Sequence, residues 1–222
     1  MNNHKYIKAF ALALIIPVLV YASSPPEREQ PGRLALLRTK VATNRQVNQL
    51  EQAFLDAVDV LEHDSPCVRF YSDRQKAVNV LCSLVDQIHV EPMPDIRVGV
   101  KMSGPFTFHV DAQTGAAYRL FQHADINLDG SFYRTKSFTQ DRAVPHVGSF
   151  PPNTREARVL ILLHELAHLM VSRDGKWLIP DDGNNADLSR KNSLTVETRC
   201  GDQIKAINAG LQSVEPNRIL LP

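Results

Sequence analysis

The sequence predicts an α+β domain: N-terminal helices, a small antiparallel sheet, a buried helix and a C-terminal helix. Three observations predict it. Between residues 33 and 88 apolar side chains recur every three or four positions, the period of one helix face. Across residues 96–128 the period drops to two, as in strands with one buried face. After Pro151-Pro152 the helical period returns, first in a run that is apolar almost all round, then in a last amphipathic segment.

The chain opens on what reads as a secretory signal. Lys5 and Lys8 precede an apolar run over residues 9–20, and Val20-Tyr21-Ala22 offers a cleavage site after Ala22. The run is short for a membrane span, so no stable membrane insertion is expected once residues 1–22 are removed. The protein is expected to be secreted or periplasmic. Residues 23–32, rich in Pro, Ser and charge, read as a flexible linker, which leaves a single domain over 33–222. Without Lys5 and Lys8 the chain carries 23 basic and 24 acidic residues, a balance that gives no sign of a nucleic-acid partner. Export permits a disulfide. Cys67–Cys200 would tie the N-terminal part to the last helix, Cys67–Cys82 would close a local loop, and a buried thiol is expected at Cys82.

Element by element, Val47, Leu50, Phe54, Ala57, Val58 and Leu61 share one face of a helix over 33–62, stopped by residues 63–66. Ala77, Val80, Leu81, Leu84, Val85 and Ile88 form the stripe of a second helix over 73–88, with Asp73 or Ser72 as its cap. His63 and His89, at helix ends, read as surface or capping groups. Ile96, Val98, Val100 and Met102 alternate as one strand, and Ser103-Gly104-Pro105 reads as a turn. Phe106, Phe108 and Val110 then continue, Gln113-Thr114-Gly115 turns the chain, and a third strand begins at Tyr118 and reaches toward Leu128. Residues 131–152 lack periodicity and are expected to form a loop, either a functional rim or an ordered surface loop of no catalytic interest. Asn153 is the expected cap of the buried helix, with Glu156 completing a capping box, and the helix is expected to run to about Arg173, before Gly175. The last helix is predicted over 189–208, with Asn192, Val196, Cys200, Ile204, Ile207 and Leu211 on one face.

Within the buried helix lies His164-Glu165-Leu166-Ala167-His168, the pattern H-E-x-x-H. Positions i and i+4 lie on one helix face, so the two imidazoles point at one place and can share a zinc ion. The glutamate between them can take a proton from a water on that metal. Ionisable side chains inside an apolar helix are costly unless partnered, and a metal supplies the partner.

These residues resemble the zinc-binding helix of the zincin metallopeptidases, and the order of helices, sheet, active-site helix and C-terminal helix is similar to theirs. The resemblance implies a zincin-like fold and hydrolysis of peptide bonds through a metal-bound water. It also implies zinc as cofactor, His164 and His168 as ligands, Glu165 as general base, and a peptide or protein as substrate. No histidine follows His168, and Val171 and Asp174 stand where the metzincin pattern has Gly and His. The chain is therefore not a regular metzincin. It is similar instead to aspzincins, which use an aspartate, or gluzincins, which use a glutamate from a later helix. Its tail also looks like that of uncharacterised exported bacterial proteins with the same helix.

Asp174, Asp181, Asp182, Asp187 and Glu197 are the candidates for the third ligand. Asp182, in the rigid turn Ile179-Pro180-Asp181-Asp182-Gly183, is the first choice, and Glu197, on the flank of the last helix, is the second. Asp174, Asp181 and Asp187 are expected to be solvated or capping carboxylates. Ser189 and Asn192 are expected either to hydrogen-bond a ligand from behind or only to cap and satisfy local backbone. An oxyanion donor would have to come from Tyr133, Arg134, His146 or another arginine. The alternative expectation is a non-catalytic exported metal-binding or structural protein that retains the helix.

Overall fold

The computed structural model describes residues 43–110, 117–172 and 174–213, the last five for their backbone only. The signal-like leader, the linker, the helical expectation for 33–42, the turn at 113–115, Arg173 and the side chain of Leu211 lie outside the described residues.

The architecture is mixed α+β, with five helices and a three-stranded sheet among the described residues. The first helix, α1, spans Asn44–Glu62. Thr43 opens it with a capping box, its N–H donating to Gln46 Oε1 at 2.7 Å while its hydroxyl accepts from Gln46 N at 3.4 Å. The expected stop contains a further helix, α2 (Pro66–Phe70), in which Ser65 caps and Pro66 takes the first turn. Helix α3 spans Arg74–Asp86 with Asp73 as its cap. It is shorter than the sequence suggests, because Ile88 opens strand β1 (Ile88–Glu91). Ile88 keeps helical spacing from Leu84, so periodicity alone could not separate the two elements.

Strands β2 (Val100–Val110) and β3 (Ala117–Asn127) are antiparallel, whereas β1 runs parallel to β3, so the sheet is mixed rather than antiparallel. The order β1-β3-β2 leaves β2 on an edge. The expected turn at Ser103-Gly104-Pro105 is a bulge inside β2: pairing passes from Ser103↔His123 to Phe106↔Phe121, and Gly104 takes φ 82°. An edge strand tolerates a proline, which cannot donate to a ladder, and the glycine absorbs the left-handed conformation. The predicted alternation does not produce one buried face. Ile96 is buried outside the strand, while Phe106 and Phe108 are 50% exposed and Val110 61%.

Helix α4 spans Arg155–Leu169 and is buried throughout from Val159 onward. Its cap is Thr154, one residue later than expected, whose hydroxyl accepts from Ala157 N at 3.1 Å. Asn153 has φ 60° and instead accepts from the Arg158 guanidinium at 2.9 Å. Glu156 closes no box with it and accepts from Asn208 on the last helix. The Tyr71 hydroxyl donates to the Leu163 carbonyl at 2.6 Å, bracing α4 just before His164. The helix ends at Leu169, short of Arg173, because Met170 is extended and pairs with Tyr118 of β3, and Val171 N donates to Ala117 O at 3.0 Å.

The last helix, α5 (Ala186–Ser213), begins three residues earlier than expected, just after Asn185, whose side chain accepts from Leu188 N at 3.0 Å. Asn192, Val196, Cys200 and Ile204 face inward. Cys200 is joined to Cys67, tying α5 to α2 across 133 residues. Cys82 lies outside that disulfide and is half-buried on α3, less covered than expected. No helix among the described residues is long and apolar enough to cross a membrane.

Candidate metal centre

One turn of α4 separates His164 from His168, and their Nε2 atoms lie 3.0 Å apart. Asp182 Oδ2 stands 3.3 Å from the first and 3.5 Å from the second. Zinc held by two imidazole nitrogens and a carboxylate oxygen at about 2.0–2.2 Å, in tetrahedral directions, separates its ligand atoms by about 3.3 Å. The triangle of donors has that size. Asp182 Oδ2 is buried and accepts no hydrogen bond of acceptable geometry among the described residues, a vacancy on an acceptor that a cation would fill. Of the groups of potential ligands among the described residues, this is the one whose donor atoms converge.

The surroundings orient these donors. Ser193 Oγ lies 3.0 Å from His164 Nδ1. With the proton on Nδ1, His164 donates to Ser193 and keeps the Nε2 lone pair for the ion. Ser193 was not singled out in the sequence, where Ser189 and Asn192 were. Ser189 instead lines a neighbouring cleft, and Asn192 donates to the Pro180 carbonyl at 2.8 Å, holding the turn that carries Asp182. His168 Nδ1 is buried and 3.9 Å from Asp181 Oδ1.

Burial drives His164 below its ordinary pKa, although the Asp182 carboxylate opposes the shift. Burial alone would raise Asp182, but the two histidines beside it outweigh that and hold it well below the usual carboxylate range. Glu165 goes the other way. It is 7% exposed, and burial, reinforced by the Asp182 charge, pushes it well above the usual range. Its side chain and that of His164 line a cleft of about 330 Å³. Ile161 and Val147 make apolar wall, and Arg97, His146 and Arg190 stand around the polar part.

The unperiodic loop supplies much of that wall through Ser131 and residues 145–148. The Asp129 carboxylate holds the loop in shape, accepting from Ser137 Oγ at 2.6 Å, Phe138 N at 2.7 Å and Thr139 N at 3.1 Å. Burial opposes ionisation there, and these donors outweigh it, keeping the carboxyl below its ordinary pKa.

The other acids are engaged elsewhere. Glu197 accepts from Ser149 N at 2.9 Å and from the Ser149 hydroxyl, bracing the turn at Gly148 (φ 57°). Asp174 is exposed and accepts from Ser172. Asp187 lies on the cleft. Asp181 is exposed, as expected, and is in addition paired with the buried Arg119. Of the expected oxyanion donors, His146 reaches the cleft, whereas Tyr133 and Arg134 line a separate surface pocket with Arg45 and Asn153. The Tyr133 hydroxyl is buried, which raises its pKa.

Arg119, like Ser193, is a residue at this centre to which the sequence reading does not point. Alternation placed it opposite Tyr118 and Leu120 on β3, but no local signal tied it to α4. Three phenylalanine or tryptophan rings around a strand arginine would have been the clue, and only Phe121 is near it in sequence. No protein-family model matches this chain, and neither does any characterised protein or solved structure with which it was compared.

Proposed function

We propose that the protein is an exported, zincin-like zinc peptidase that hydrolyses peptide bonds in a peptide or protein substrate. The observation that carries the proposal is the convergence of His164, His168 and Asp182 on one point, with Glu165 beside it on the wall of a cleft. Two imidazoles and one carboxylate leave a fourth direction open, as catalytic rather than structural zinc sites do. When bound there, zinc would polarise the scissile carbonyl and make an attacking water more acidic. Glu165, on the wall of the same cleft, would take the proton of that water and pass it to the leaving amine nitrogen as the C–N bond breaks. Ser193 can accept from His164 Nδ1 and so suits the tautomer that ligates through Nε2, and Ile161 and Val147 offer apolar surface to a substrate side chain. The signal-like leader and the Cys67–Cys200 bridge support export, since disulfides persist in oxidising compartments.

The test is metal analysis and peptide hydrolysis with the purified protein and its Glu165→Gln variant. The variant is expected to hold as much zinc as the wild type and to lose roughly 10²–10⁴-fold in turnover. Undiminished turnover would overturn the mechanism, and a wild-type protein that takes up no zinc would overturn the centre itself.

A second reading, a metal-binding protein without hydrolytic activity, is favoured by one observation. Tyr133 and Arg134, two of the expected oxyanion donors, line a different pocket. Full zinc occupancy without cleavage of any member of a diverse peptide library would select it.

A further inference from the structure

We propose that Arg119 is the positioning residue that sets Asp182 in the metal centre, acting through Asp181. The inference rests on the metal-binding reading above and extends it to a residue outside the ligand set.

The arginine stands near the start of β3, next to Tyr118, which bridges to Met170 at the end of α4. Its side chain is 5% exposed, so its fork is committed inside the protein. Nε donates to the His168 carbonyl at 3.1 Å, one of the acceptors that the end of a helix leaves unpaired. Nη1 donates to Asp181 Oδ2 at 3.1 Å, and Nη2 donates to Asp181 Oδ1. One planar group therefore grips the backbone of a histidine ligand and the side chain next to the carboxylate ligand. The guanidinium is fixed in turn by aromatic rings: Trp177 at 4.0 Å, Phe121 at 5.1 Å and Phe106 at 5.6 Å from their centroids.

The consequence for Asp182 follows from the order of the turn. Pro180 is held through its carbonyl by Asn192 of α5. Asp181 is held through its carboxylate by Arg119 of β3. With both preceding residues anchored on opposite neighbours, Asp182 is left to face the histidines, and its Oδ2 meets them at 3.3 and 3.5 Å. Gly183, at φ 50°, then turns the chain away toward α5. A lysine at 119 would keep the charge, but it has no planar fork that could engage His168 and both oxygens of Asp181 together.

The test titrates zinc ion against a competing chelator in the wild type, Arg119→Lys and Asp181→Asn, and measures the urea unfolding midpoint of each protein stripped of metal. Zinc affinity is expected to fall roughly 10–100-fold in both variants, as for other groups that orient metal ligands. The metal-free midpoint of Asp181→Asn, which alters a side chain that is 60% exposed, should stay close to wild type. Should Arg119→Lys fail to fold, Asp181→Asn carries the test alone. Wild-type zinc affinity in Asp181→Asn would overturn the positioning role while leaving the metal centre intact. A loss of affinity accounted for by a lower metal-free midpoint would make the pair a structural brace and would overturn it too. A wild-type protein that binds no zinc would overturn the metal reading from which the inference starts.

Discussion

His164 and His168 come from the last two turns of α4, whereas Asp182 comes from the return segment 170–185, which contains no helix or strand among its described residues. The helix sets its two donors by its own period and by burial on every side. The return segment sets its one donor by anchors borrowed from neighbours: Met170 O to Leu178 N at 3.1 Å, Pro180 to α5 and Asp181 to β3. Moving the histidines means disrupting the core. Moving Asp182 means releasing a few side-chain contacts. The same centre therefore has a rigid half and a half whose position is separately adjustable.

The largest expected effect is on the helical half. Leu163 is fully buried one residue before His164. Leu163→Ala is expected to cost about 2–5 kcal/mol through lost burial and the cavity left behind. Urea denaturation of the metal-free protein measures it. The contrast predicts that this loss exceeds that of Asp181→Asn in the same assay, and equal losses would erase the distinction between the two halves.

The same division explains what the sequence reveals. H-E-x-x-H, the apolar run around it and the stripe of α5 are legible because a helix repeats over a few residues, and local spacing becomes spatial spacing. The caps of α3 and α4 are legible to within one residue, Asp73 at α3 and Thr154 beside the expected Asn153, whereas the start of α5 lies three residues before the expected one. Asn153 and Thr154 are both good caps, and only the left-handed backbone at Asn153 decides between them. Strand β1 was hidden because Ile88 continues the stripe of α3. Ser193 is legible by phase: at 100° per residue it lies about 35° from the centre of the apolar stripe of α5, closer than Asn192 at about 65°. Nothing local says that it meets His164 while Asn192 meets Pro180. Arg119 was illegible for a stronger reason. Its partners His168 and Asp181 are far along the chain, and the contact exists only once β3 lies against the end of α4.

A smaller effect separates the ends of the rigid half. The Thr154 hydroxyl caps α4 at the end remote from the histidines. Thr154→Ala is expected to cost about 1 kcal/mol in the same denaturation assay, because one helix N–H loses its acceptor. Zinc affinity, measured by chelator competition, should be unchanged, because the first turn can fray while Tyr71 and the surrounding core still hold α4 near His164. A parallel loss of affinity would show that even the rigid half transmits strain along its length.

The smallest expected effect comes from the acid that competed with Asp182 for the third ligand. Glu197 lies in the buried-face sequence of α5 only as a flank residue, and its carboxylate turns to the N–H and hydroxyl of Ser149. Those two donors leave it no reason to approach the histidines, and its Oε2 packs where a Cβ at Gly148 would fall, 2.0 Å away, in a turn whose φ of 57° favours glycine. Glu197→Gln keeps one acceptor oxygen for Ser149 N and puts an NH2, to which the Ser149 hydroxyl can turn as acceptor, in place of the other, so a cost of about 0.5–1 kcal/mol is expected. Zinc affinity should match the wild type in chelator competition, whereas Asp182→Asn should lower it sharply. If the two variants exchanged these outcomes, the ligand would come from the helix rather than from the return segment. Both halves of the centre would then stand on helices, and the adjustable half would cease to exist.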